Sequence, residues 1–194
     1  MLVCMSLWSV CAETVVAVSG EGLFDEPVPM TKQRRLEKTV YLQALNYTAA
    51  LDGRLSVINK QNKRVTPKTV DGKFYVPLRF VLESYKLDVS WEDETKTVVI
   101  CAKDEVFRLS TVDSTLSKGE KTKALENRCL VDNGTTFVAF DDISNILRCH
   151  THYYPEYNSG VIAVGEPWNP DADAEKQALD AMEFVMSPFF KMFL

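Results

Sequence analysis

Residues 72–100 of this chain recur, weakened, as residues 134–162. Gly134 stands 62 residues after Gly72, Ile162 stands 62 after Ile100, and the alignment between them needs no gap. Tyr75-Val76 falls on Phe137-Val138, Leu78 on Phe140, Val81 on Ile143, Tyr85 on Leu147, Trp91 on Tyr153 and Val99-Ile100 on Val161-Ile162. The matched positions are large and apolar, so what recurs is the frame of a core, and no reactive side chain is kept in both copies. Self-similarity at a fixed spacing constrains a fold more than composition does, because each copy must find the same kind of packing partner. The pattern points to architecture and attachment rather than to chemistry.

With 194 residues, 46% of them hydrophobic and 25% charged, the chain is long enough to bury a sizeable core. A net charge of -5 argues against a nucleic-acid partner, which needs Lys and Arg gathered on one face. The one basic cluster, Lys60 to Arg64 with Lys68, lies in a polar stretch and reads as a solvated loop. No apolar run approaches the ~20 residues of a membrane-spanning helix. Residues 1–19 read as a secretory signal: Leu2 to Cys11 is mostly apolar, and Val10-Cys11-Ala12 and Ala17-Val18-Ser19 offer small residues for cleavage. Nothing basic precedes Lys32, so a buried strand is the alternative. Residues 20–37, with Pro27 and Pro29, read as a linker or a short helix. Cys101, Cys129 and Cys149 then remain, an odd number without metal-like spacing, and read as small packed hydrophobes.

Short strand patterns follow, Thr39 to Leu42, Tyr47 to Leu51 and Arg54 to Ile58, with Asp52-Gly53 as a hairpin turn. A second turn, Asp71-Gly72, leads into the strand Lys73 to Pro77. Leu78, Val81, Leu82 and Tyr85 then recur at helical spacing behind Pro77, which suits a first turn. Val89, Trp91 and Thr97 to Cys101 return to strand character across a polar turn. The second copy repeats the order through Val106 to Leu109, Lys118-Gly119, Asn133-Gly134, a helix opening at Phe140-Asp141-Asp142-Ile143, and a hairpin from Tyr153 to Val164. The turn glycines are 19 residues apart in the first copy (Gly53, Gly72) and 15 in the second (Gly119, Gly134), which puts a four-residue insertion in the basic loop of the first. The expected fold is α+β, an antiparallel β-sheet meander packed on short helices, built as two degenerate β-β-β-α-β-β repeats at residues 38–104 and 105–165. Residues 166–194 form a helical segment with an apolar stripe at Ala178, Leu179, Met182, Val185 and Met186. Its apolar end, Phe189 to Leu194, either docks on the domain or begins another module.

The run Asp71-Gly72-Lys73-Phe74-Tyr75-Val76-Pro77-Leu78-Arg79, followed by Val89-Ser90-Trp91 and Thr97-Val98-Val99-Ile100, resembles the copper amine oxidase N-terminal-like, or stalk, domain family. Gly72, Tyr75, Val76, Pro77, Leu78, Arg79 and Trp91 carry its motif. The second copy has Val138-Ala139-Phe140-Asp141 where the family has V-P-L-R. The resemblance implies a small non-catalytic α+β module, secreted or on the cell surface of a Gram-positive bacterium, with no cofactor. It would serve as a spacer or a binding surface, with cell-wall glycan or an envelope protein as partner. The alternative is that the chain is the front of an envelope enzyme acting on polysaccharide, its catalytic module beginning near Trp168.

Three groups of residues are candidate sites. His150 and His152 form an H-T-H pair, but with only two histidines in the chain the three-imidazole copper site of the oxidases is out of reach, and Asn46-Tyr47-Thr48 lacks the acidic residue of the quinone motif. A weak metal site at this pair is set against a capping or packing role. Arg79 stands where a guanidinium would meet a ligand carboxylate or phosphate, or would pin its own fold. Among the aromatics, Trp91 and Tyr153 read as core and Tyr154 with Tyr157 as an exposed pair suited to stacking on sugar rings.

Overall fold

A computed structural model describes residues 35–103 and 105–187. The signal reading of residues 1–19, the prolines of the linker and the Phe189–Leu194 terminus lie outside the described residues.

The strands follow the turn residues. β1 (Thr39–Gln43), β2 (Thr48–Leu51) and β3 (Arg54–Val57) precede a long loop, after which come β4 (Lys68–Val70) and β5 (Lys73–Pro77). The turns at Asp52-Gly53, Asp71-Gly72 and Asn133-Gly134 are Asx-Gly pairs with positive φ at both central residues, for example 51° and 76° at Asp71 and Gly72, as tight hairpins of the preferred hand require. Helix α1 (Leu78–Ser84) starts behind Pro77 at φ -65° and buries Leu78, Val81 and Leu82 on one stripe. It stops in a left-handed cap at Lys86 (φ 60°), where the Lys86 and Leu87 amides donate back to Glu83 O (2.9 Å) and Leu82 O (3.2 Å). Then come β6 (Asp88–Glu92), β7 (Thr97–Ala102), β8 (Glu105–Ser110), β9 (Thr115–Lys118), β10 (Lys121–Ala124), β11 (Leu130–Asp132) and β12 (Thr135–Ala139). A 3-10 turn at Phe140–Asp142 leads into α2 (Ile143–Leu147), followed by β13 (His150–Tyr154), β14 (Ser159–Ala163) and α3 (Asp173–Met186). The result is an α+β fold, mostly antiparallel sheet, with three short helices among the described residues.

The strands form three antiparallel sheets, ordered β13-β14-β1-β2-β3, β10-β9-β8-β7-β6 and β11-β12-β5-β4. Hairpin β6–β7 leaves the strands that precede it and pairs with β8 onward, while hairpin β13–β14 returns across the chain to pair with β1. The third sheet joins the earlier and later parts of the chain through β5 and β12, with Tyr75 opposite Ala139, Val76 opposite Val138 and Pro77 opposite Phe137. Val76 thus faces the residue 62 positions beyond itself. Adding 62 to the bounds of β4, β5 and β6 gives those of β11, β12 and β13.

The main core lies between the sheets and holds Val40, Leu42, Val76, Leu78, Leu82, Ile100, Leu109, Val138, Ile143 and Ile162. A second core lies on the other face of the first sheet, where α3 and Trp168 cover Tyr41, Ala50, Tyr154, Val161 and Ala163. β1 is buried on both faces for that reason. Of the apolar stripe on α3, Ala178, Met182 and Met186 are buried. The segment leading into α3 is clasped by Arg35, unmarked in the sequence: Nε donates to Glu175 Oε1 at 2.7 Å, Nη1 to Glu166 O at 3.2 Å and Nη2 to Pro167 O. Its guanidinium also lies 5.2 Å from the Trp168 ring centre.

Candidate functional site: an open groove beside Arg79 and Trp91

A groove of about 520 Å³ opens between α1, β6, the start of β12 and the loop after β3. That is within the ~300–1,000 Å³ of small-ligand sites. Arg79 and Phe80 come from the first turn of α1, Trp91 from edge strand β6, Lys60 and Gln61 from the basic loop, and Thr135 and Thr136 from β12. The loop holds its own shape: Asn59 Oδ1 accepts from the Gln61 and Asn62 amides at 3.0 Å each, and Asn62 Oδ1 accepts from the Arg64 amide at 3.0 Å.

Arg79 is half-exposed, and its Nη1 donates to Val89 O at 2.7 Å and to Glu83 Oε1 at 3.4 Å. It ties β6 to α1 and still lines the groove. Trp91 is 38% exposed, and its Nε1 donates to Asp93 Oδ1 at 3.2 Å, which sets the plane of the ring. Lys96, 2.9 Å away, and that indole hold the Asp93 carboxyl below its usual range. Lys60 is exposed and makes no hydrogen bond or ion pair among the described residues.

At the positions 62 residues on, aromatic side chains pack against one another. Tyr153, the counterpart of Trp91, stacks on Phe74 at 5.3 Å and 29°, and both rings meet Phe140, the counterpart of Leu78. Phe74 is in turn the counterpart of Thr136. Asp142 stands in the place of Phe80, fully buried, and accepts from the Glu126 amide (2.8 Å), the Asn127 amide (3.0 Å) and Asn127 Nδ2 (3.0 Å). Lys73 adds a bond to Asn127 Oδ1. Three rings and a loop latched by Asp142 therefore pack together around Tyr153, whereas Trp91 borders an open groove.

The remaining candidate residues are dispersed. The reading of Trp91 as core is corrected: it lies on the edge strand β6 and is well exposed. Tyr153 is partly buried against the main core, as expected. The reading of Tyr154 as exposed is also corrected: strand alternation sends it to the opposite face from Tyr153, where it is 7% exposed and accepts a 2.8 Å bond from Trp168 Nε1. Tyr157, in the 3-10 turn Pro155–Tyr157, is half-exposed. His150 Nε2 lies 3.1 Å from Gly165 O and the His152 ring stands edge-on to Tyr154. Among the described residues no three His, Cys, Asp or Glu side chains are grouped to hold a metal. Of the motif, Tyr75, Val76, Pro77 and Leu78 are buried and Gly72 is in its turn. Burial pushes the Cys149 thiol up to about 11 and raises that of Cys129, consistent with packed sulfur rather than reactive thiolate. Arg79, singled out by its place at the strand-to-helix junction, was the wall of the groove legible in the sequence.

No curated protein and no solved structure matches the chain. The family model of the copper amine oxidase N-terminal domain matches residues 57–162, from the end of β3 into β14 and more than half of the chain. That span includes the motif, the basic loop and every wall of the groove except Leu51 and Ser56, and the chain belongs to the copper amine oxidase N-terminal domain family.

Proposed function

We propose that this chain is a non-catalytic accessory module, exported to the envelope of a Gram-positive bacterium, where it binds cell-wall glycan through the groove at Arg79 and Trp91. The two halves are read as copies of one unit that have diverged, one groove filled and the other kept open. The observation that carries this reading is an exposed Trp91 lining an open groove, where Thr136 stands at the position matched by the buried Phe74 62 residues earlier. A spacer alone gains nothing from such an opening, since filling it would bury more apolar surface.

The test is retention of the full chain on purified cell wall. Wild type is expected to be retained, Thr136→Phe to be lost with its melting temperature unchanged or raised, and Tyr157→Ala to behave as wild type. Equal retention of wild type and Thr136→Phe would overturn the groove as the binding surface, and no retention of wild type would leave the spacer role.

A further inference from the structure

We infer that the groove takes an acidic saccharide, one ring stacked on Trp91 and a carboxylate held between Arg79 and Lys60. This rests on the reading of the groove as the binding surface and adds the charge of the ligand.

The first support is the filled counterpart. There the tyrosine equivalent to Trp91 is covered by a ring 5.3 Å away at 29°. The open groove lacks that ring, so a guest must bring a flat face of its own. A pyranose presents a face of C–H groups suited to an indole. The surrounding polar groups are amide and hydroxyl, Gln61, Ser90 and Thr135, which pair with the hydroxyls of a sugar. A purely apolar guest would leave them stranded.

The second support is charge. In a chain of net charge -5, the lining carries two cations, Lys60 and Arg79, against one carboxylate, Glu83. Lys63 and Arg64, both exposed, follow on the same loop. The fold uses these charges only in part: Arg79 is paired with Glu83, and Lys63 lies 5.3 Å from the Tyr47 ring centre. Lys60 has no partner among the described residues, and the bonds from Arg79 to Val89 and Glu83 use Nη1 alone, leaving Nε and Nη2 to donate to an anion. Neutralising a carboxylate at such a site gives both affinity and selectivity over the uncharged sugar.

The probes are trigalacturonic acid and its fully methyl-esterified form, titrated by calorimetry into the full chain at about 20 mM and about 150 mM NaCl, either side of the ionic strength at which exposed charges become largely screened. The acid is expected to bind roughly tenfold more tightly than the ester. That preference should shrink several-fold at the higher salt and in Lys60→Ala, whose side chain supports nothing in the fold. Arg79→Lys, which keeps the charge and loses the fork, should weaken the acid alone, and Thr136→Phe should abolish both. Equal binding of acid and ester, both lost in Thr136→Phe, would overturn the charge assignment and leave the groove a sugar site. Failure of the acid to bind while wall retention still depends on Thr136 would overturn the inference and spare the functional reading. Failure of both assays would sink both.

Discussion

At the residue scale, Gly160 is fixed by space rather than by backbone conformation. A Cβ there would sit 2.5 Å from Cζ of Phe140, and that ring is held by Phe74 and Tyr153 and is itself buried. Gly160→Ala should cost about 1–3 kcal/mol in urea denaturation, because the ring has nowhere to move. Arg35 and Glu175 are each 5% exposed and joined at 2.6 Å. Arg35→Ala should cost roughly 3–5 kcal/mol by leaving a buried carboxylate unpaired, and the double variant Arg35→Met, Glu175→Leu should recover most of it. A third prediction concerns pH. Burial raises the Glu183 carboxyl above its ordinary range, Asp180 adds to the shift, and the Tyr41 hydroxyl, itself pushed up to about 12 by burial, opposes it. As pH rises the unfolded chain loses the Glu183 proton first. The folded state then holds more protons across the window between the two pKa values, so this group's contribution falls with pH there and stays low above it. Glu183→Gln should therefore raise the melting temperature at pH 7 and leave it little changed at pH 4. Because the side chain is partly exposed the gain should be below about 1 kcal/mol, or ~1–3 °C.

At the scale of elements, the loop opposite Asp142 shows how one carboxylate holds a segment that lacks sheet pairing of its own. Asp142 satisfies two backbone amides and one side-chain amide from Glu126 and Asn127. Asp142→Ala would leave buried donors unpaired, and a loss of about 2–4 kcal/mol is expected, with faster amide exchange at residues 125–129 and none at β5. Phe80 stands in that place beside the open groove, so the basic loop there must stabilise itself through Asn59 and Asn62. Hydrogen exchange in the basic loop should accordingly be indifferent to changes at Phe80. α3 is held in a similar way, by one stripe of Ala178, Met182 and Met186 and by the Arg35 clasp, rather than by a side-chain cap at its first turn.

At the scale of the whole molecule, the two halves interlock: each large sheet contains a hairpin from one half and strands from the other, and the third sheet pairs β5 with β12. Neither half has its sheet without the other, so unfolding should be a single transition. Trp91 reports on the second sheet and Trp168 on the layer under α3, and variants retaining one of these as the only tryptophan should share one urea midpoint. Separate midpoints would mean that the halves fold independently. Much of this was legible in the sequence. The Asx-Gly pairs gave the hairpins, Lys73 to Pro77 was read at its true bounds, and the stripe of Leu78, Val81 and Leu82 gave α1, all because turn chemistry and period are local signals. β10, with the sequence Lys-Thr-Lys-Ala and no buried residue, offered no alternation to read. Nor could any local pattern join Arg35 to Glu175, 140 residues away. The turns and the helical stripe of α1 are properties of the chain itself, since each depends on near neighbours. Which groove stays open is a tertiary matter. Phe74 meets Tyr153, and Thr136 lines the groove with Trp91, only in the folded arrangement, because each pair joins strands far apart in the chain.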